Sequence, residues 1–172
     1  MRHAVAGLVV VVACQSNAPS TPTAVVQQFY RRTMAEHMSG APSSEQLASL
    51  TPVLSDTLRA LLAAAHRRNG SDAARAPDEK PAFADGDLFS SLFEGPNAIE
   101  VLGDSARGAV RIASVRMTYN RTTPPVTWVD RVMLTRERGR YVVDDIEYGG
   151  TWDFATKGSL RRTLVDGLSS PP

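Results

Sequence analysis

Four β-branched and aromatic runs crowd into the second half of this chain, at 97–102, 109–119, 126–136 and 141–148. The breaks between them are short and made of turn residues: Gly103-Asp104, the NRTTPP stretch at 120–125, and Arg138-Gly139. A parallel return needs a crossover of about a dozen residues or more, so strands this close must form an antiparallel meander. Everything else in the chain has to cover a face of that sheet.

The first half has the helical period instead. Val26, Tyr30, Met34 and Met38 recur every four residues, with Val25 and Phe29 beside them, which predicts an amphipathic helix from Thr21-Pro22 or Thr23 to about Met38. Ser43 and Gln46 have capping-box spacing for a short helix carrying Leu47 and Leu50. Thr51-Pro52 then opens a helix with Leu54, Leu58, Leu61, Leu62 and Ala65 on one face, ended by Asn69-Gly70. Residues 71–87 read as a polar loop, mobile or functional. The pairs Leu88/Leu92 and Phe89/Phe93 predict a helical turn after it, flanked by Asp85, Asp87 and Glu94 as cap and surface charges. Ser159 begins a last helix with Leu160, Leu164 and Leu168 on one face. The expected class is α+β, with N-terminal helices packed in a curved antiparallel meander and a closing C-terminal helix. One domain at 24–168 with a tail at 169–172 fits 172 residues of which 42% are hydrophobic.

A net charge of +1 gives no electrostatic ground for nucleic acid as a partner. The single cysteine, Cys14, rules out an internal disulfide and a cysteine metal site. Its surroundings are informative. Met1-Arg2-His3 is a short basic start, 4–13 is an apolar and small run, and Val11-Val12-Ala13 precedes the cysteine. The run is too short for a permanent membrane span and suits a signal peptide at 1–13. The polar 15–23 segment, QSNAPSTPT, reads as a tether. The pattern around Cys14 resembles the lipobox of bacterial lipoproteins, with Val11 where leucine is more usual. That resemblance implies cleavage before Cys14, lipidation of Cys14 and a membrane anchor. Gln15 after the cysteine, rather than aspartate, implies the outer membrane, with the domain facing the periplasm.

Two local texts carry a second resemblance, SLFEGP at 91–96 and YVVDDIEYGGTWDFATKGSL at 141–160. They resemble a group of small bacterial envelope lipoproteins known as domain of unknown function 3828. The order of helices and strands resembles the nuclear transport factor-like, cystatin-related cone. The resemblance covers roughly 24–168, implies an envelope protein, and brings no activity, cofactor or catalytic residue with it.

No residue pattern spells out a reaction or a metal site. Counting back from an Arg138-Gly139 turn places Asp130 opposite Glu147 and Val132 opposite Asp145, on one face with Trp128, Leu134, Tyr141 and Val143. Asp144 falls on the other face, beside Arg131. Were Asp130 and Glu147 close like charges in a concavity, one would be a proton donor or acceptor. Otherwise Asp144 and Arg131 form a structural ion pair. Candidates for an enzyme are therefore Asp130, Glu147 and Asp144. Tyr119, Trp128, Tyr141, Tyr148 and Trp152 are candidates for lining a ligand pocket. Asp153 is expected to satisfy backbone amides at the Gly149-Gly150 corner. These observations favour a non-catalytic binding protein, for a small hydrophobic ligand or an envelope protein. The alternatives are an isomerase- or dehydratase-type pocket enzyme and a structural envelope protein.

Overall fold

The computed structural model describes residues 21–170. The signal-peptide expectation, Cys14 and most of the tether lie outside them. The element order is helical first and β afterwards: α1 (Pro22–Ala35), α2 (Ser44–Leu50), a 3₁₀ turn (Thr51–Val53), α3 (Asp56–Arg75), β1 (Ala98–Arg107), β2 (Val110–Tyr119), β3 (Val126–Glu137), β4 (Arg140–Glu147) and α4 (Leu160–Ser169). The strands form one antiparallel sheet in chain order. The expected α+β class and meander are what the chain adopts.

The helix starts follow local chemistry. Thr21 Oγ1 accepts the Ala24 N–H and proline occupies the first position of α1, so Pro22 and Thr23 belong to the helix rather than to a tether. Ser43 and Gln46 close a reciprocal capping box at α2. At α3 the cap is Ser55, not Thr51; Thr51-Pro52 makes the 3₁₀ turn before it. That helix also runs through Asn69-Gly70 to Arg75. Asp72 is the reason, because it holds Arg68 at 2.8 Å and Arg75 at 2.6 Å across the last turns. The Asn69 side chain contributes a second restraint, donating to Phe83 O at 2.7 Å and accepting from Phe83 N at 3.0 Å.

α1 ends earlier than its stripe predicts. His37 N donates to Met34 O and Met38 N to Thr33 O, a Schellman closure in which His37 takes the left-handed position at φ 47. Met38 still reaches the core after the turn.

The sheet's inner face is apolar. Ala113, Val115, Met117, Val132, Leu134, Val143 and Ile146 are all buried, and they join Val25, Val26, Phe29, Leu58, Leu62, Leu160 and Leu164 in one cluster. The outer face is laced by Arg116–Glu100 at 2.6 Å and Arg131–Glu147 at 2.5 Å, while an Arg111–Asp104 pair lies on the inner-facing side, with Asp104 opposite Ala113 and Arg111 opposite Leu134. β1 does not break at Gly103-Asp104. It continues past a bulge at Leu102 to a turn at Gly108-Ala109.

A second bulge changes the expected register. Leu134 pairs with Val143 as the turn requires, but Met133 pairs with Asp145, so Asp144 is an extra residue. Beyond it every partner moves by one. Arg131, not Asp130, lies opposite Glu147, and Ile146, not Asp145, lies opposite Val132. Ile146 and Tyr148 thereby turn inward and Glu147 turns out.

The segment 87–95 is not a helical turn. It forms bends that bury Phe89, Ser90, Ser91 and Leu92 and leave Phe93 exposed. Two phenols hold it in place: Tyr30 donates to Phe89 O at 3.0 Å and Tyr148 to Leu88 O at 2.6 Å.

Candidate functional site

Asp130 is fully buried, and every polar partner it has is a donor. Oδ2 accepts the Ser91 N–H at 2.9 Å and the Trp128 indole N–H at 3.0 Å. Oδ1 accepts the Gly149 N–H at 2.8 Å and the Ser91 hydroxyl. Ser91 Oγ in turn accepts Gly150 N at 2.9 Å. A Cβ on Gly149 would overlap the Val129 carbonyl, so only glycine lets the corner approach β3 this closely. Asp130 and Ser91 therefore satisfy the Gly149 and Gly150 amides expected of Asp153, and Asp130 ties β3, the 87–95 segment and the end of β4 together.

The like-charge pair Asp130–Glu147 is not formed, since the bulge sends Glu147 to Arg131 on the outer face. Nor does Arg131 meet Asp144. The Asp144 carboxylate accepts the Ser55 hydroxyl at 2.7 Å and Arg161 Nη1 at 2.6 Å. Asp145 accepts the Arg161 backbone N–H at 2.9 Å. The acidic doublet thus joins the start of α3 to the start of α4, where backbone N–H groups favour carboxylates.

The aromatic candidates divide in the same way. Trp128 is buried edge-to-face against Trp152 at 5.7 Å, Tyr141 lies under the Arg136 guanidinium at 4.4 Å, and Tyr148 is buried on Leu88. Of the five, Tyr119 lines a cavity.

That cavity is a half-open cleft of about 620 Å³ between the C-terminal end of α1, the 85–97 segment and the end of β2. Its apolar wall is Met34, Met38, Phe93 and Tyr119; its polar groups include His37, Asp87, Glu94 and Arg121. Phe93 is 58% exposed, a large apolar surface at the cleft. The Schellman turn places His37 here, and Gly40 N donates to Gly86 O at 2.7 Å to hold the two sides together.

Asp87 is the partly buried carboxylate of the cleft. Its Oδ1 accepts the Phe89 N–H at 2.5 Å, while Oδ2 lies beneath Gly95. Gly95 sits at φ 72, and a Cβ there would collide with Oδ2. Burial pushes the Asp87 carboxyl up to about 7 and the charge of Asp130 adds to this, against the N–H groups of Phe89 and Ser90, which favour its anion. The two buried phenols behind it, Tyr30 and Tyr148, are raised above their ordinary range, chiefly by burial.

Periodicity gave no hint of this site. Met34 and Met38 read as core, and Asp87 and Glu94 as surface charges. The one pointer was the long polar segment before Leu88, whose length alone suggested mobility or function.

The chain is 28% identical over 143 residues to the uncharacterised lipoprotein YbjP of Escherichia coli (strain K12), a match covering 83% of this chain and 75% of that protein. No family model and no solved structure matches the chain.

Proposed function

We propose that this chain is a lipid-anchored protein of the bacterial cell envelope that binds a small molecule in the cleft at the end of α1 without transforming it. The lipoprotein name of its relative and the ordered basic start, apolar run, small residue and Cys14 support the anchor. Gln15 favours the outer membrane, and the 141–160 text favours the domain of unknown function 3828 group and its cone-shaped fold. The observation that carries the binding reading is the cleft itself, whose volume of about 620 Å³ with an apolar wall and a few polar groups suits a small ligand.

Native mass spectrometry of the detergent-solubilised full chain tests this. The expected result is a retained small molecule that is lost in Ser39→Trp, which sets an indole among the cleft residues. A bare chain, or a ligand indifferent to Ser39→Trp, would overturn the reading.

The second reading is a pocket enzyme. It moves away from Asp130, Glu147 and Asp144 to Asp87, a cleft carboxylate with the near-neutral pKa a general base needs. Conversion of the retained molecule by the wild type and not by Asp87→Asn would favour it.

A further inference from the structure

Resting on the cleft as a binding site, we propose that its ligand is an organic cation, an ammonium attached to an apolar body, whose charge is received by Asp87. The apolar body fits the wall made by Met38, Phe93 and Tyr119. The charged end is dictated by what the cleft lacks. Asp85 is paired with Lys80, whereas among the described residues neither Asp87 nor Glu94 forms an ion pair.

A partly buried carboxylate without a counter-ion pays the cost of leaving water with no Coulombic return, and an incoming ammonium supplies that return. The ring faces of Phe93 and Tyr119 attract the same charge. Among the described residues no three His, Cys, Asp or Glu side chains come together as a metal site.

Two cleft groups oppose a cation. Arg121 and His37 also face the cleft, both on exposed positions, where solvent screens them more than it screens Asp87. Behind Asp87 stand Asp130 from β3, Tyr30 from α1 and Tyr148 beyond β4, and none of them carries positive charge. The local balance at the inner end of the cleft is negative.

Three probes of one shape test the inference on the detergent-solubilised full chain: benzylammonium, benzyl alcohol and benzoate. The Ser39→Trp variant provides the blank for partition into detergent. Titrations followed by calorimetry at pH 8 should rank the ammonium about ten-fold tighter than the alcohol, as one charge-assisted contact allows, with benzoate weakest. In Asp87→Asn the gap between ammonium and alcohol should close. The ammonium should also release protons when titrated near pH 7, since it favours the carboxylate form of Asp87.

Equal binding of all three probes, blocked by Ser39→Trp, would overturn the cation and leave the cleft reading standing. Preference for benzoate would overturn it in favour of Arg121 and His37. A preference for the ammonium that survives Asp87→Asn would overturn the role of Asp87. Failure of every probe would overturn the ligand class, while the native mass measurement judges the cleft independently.

Discussion

Asp130 receives the backbone N–H of Ser91 at 2.9 Å, a contact made across 39 positions of sequence and closed to solvent on both sides. It joins the sheet to the segment that walls the cleft. Removing the carboxylate strands the donors of Ser91, Trp128 and Gly149 at once.

Asp130→Ala is therefore expected to destabilise the fold by about 3 kcal/mol, at the upper end for a point substitution, because several buried donors lose their acceptor together. Ser91→Ala, which removes one hydroxyl and spares the backbone contact, should cost about 1 kcal/mol. Urea denaturation of both variants and of the double variant checks this. Additivity of the two losses would mean that they do not belong to one network.

Asp87 gives the stability curve a slope of definite sign. A carboxyl of ordinary pKa 3.8 when unfolded and about 7 when folded binds its proton more tightly in the folded state. Its contribution is fully present below pH 3.8 and is lost as pH rises through 7, at no more than roughly 1.4 kcal/mol per pH unit within that window. Asp87→Asn should flatten this component. The urea midpoints of wild type and variant should thus diverge in the variant's favour between pH 5 and pH 7.5; a constant difference would contradict the assignment.

His37 occupies a left-handed position that glycine takes at lower cost. His37→Gly should raise stability by about 0.5–1 kcal/mol while removing an imidazole from the cleft. A stabilised variant that binds its ligand differently would mark the strained turn as a feature kept for the site. A neutral or destabilised variant would show that the imidazole compensates for its backbone.

The proposed lipid anchor rests on Cys14. Cells expressing the full chain and fed a palmitate analogue should yield labelled protein, and Cys14→Ser should yield none and appear in the soluble fraction. Label persisting in Cys14→Ser would place the lipid elsewhere or deny it.

Much of the architecture was legible because it rests on local chemistry. Turn residues between β-branched runs dictated the meander, and Ser43-Gln46 and Ser159 announced their helices through their own side chains. The bulge at Asp144 was harder, because its justification lies far away in Ser55 and Arg161. Nothing local marks it, for Val142 and Val143 pair in regular register with Thr135 and Leu134 on the hairpin side of the bulge. Counting register without a bulge produced the Asp130–Glu147 pair, and the same count misplaced Asp145. Gly70 reads as a stop in the sequence because the Arg68–Asp72–Arg75 cluster outweighs one helical glycine only once its side chains are placed. The cleft was hidden for a different reason. Asp87 is eight residues from Gly95, and only the folded segment puts one beneath the other.

The two ends of α1 set a direction for the whole molecule. The described chain begins at Thr21, and the cleft sits past Ala35, about 20 Å along a 14-residue helix. A copy held to a bilayer by its N-terminal end would carry its opening on the far side, like a cup on a stem. If the proposed anchor and cleft both hold, such a vessel would sample solutes arriving through the aqueous compartment, rather than molecules sliding in from the lipid leaflet beneath it.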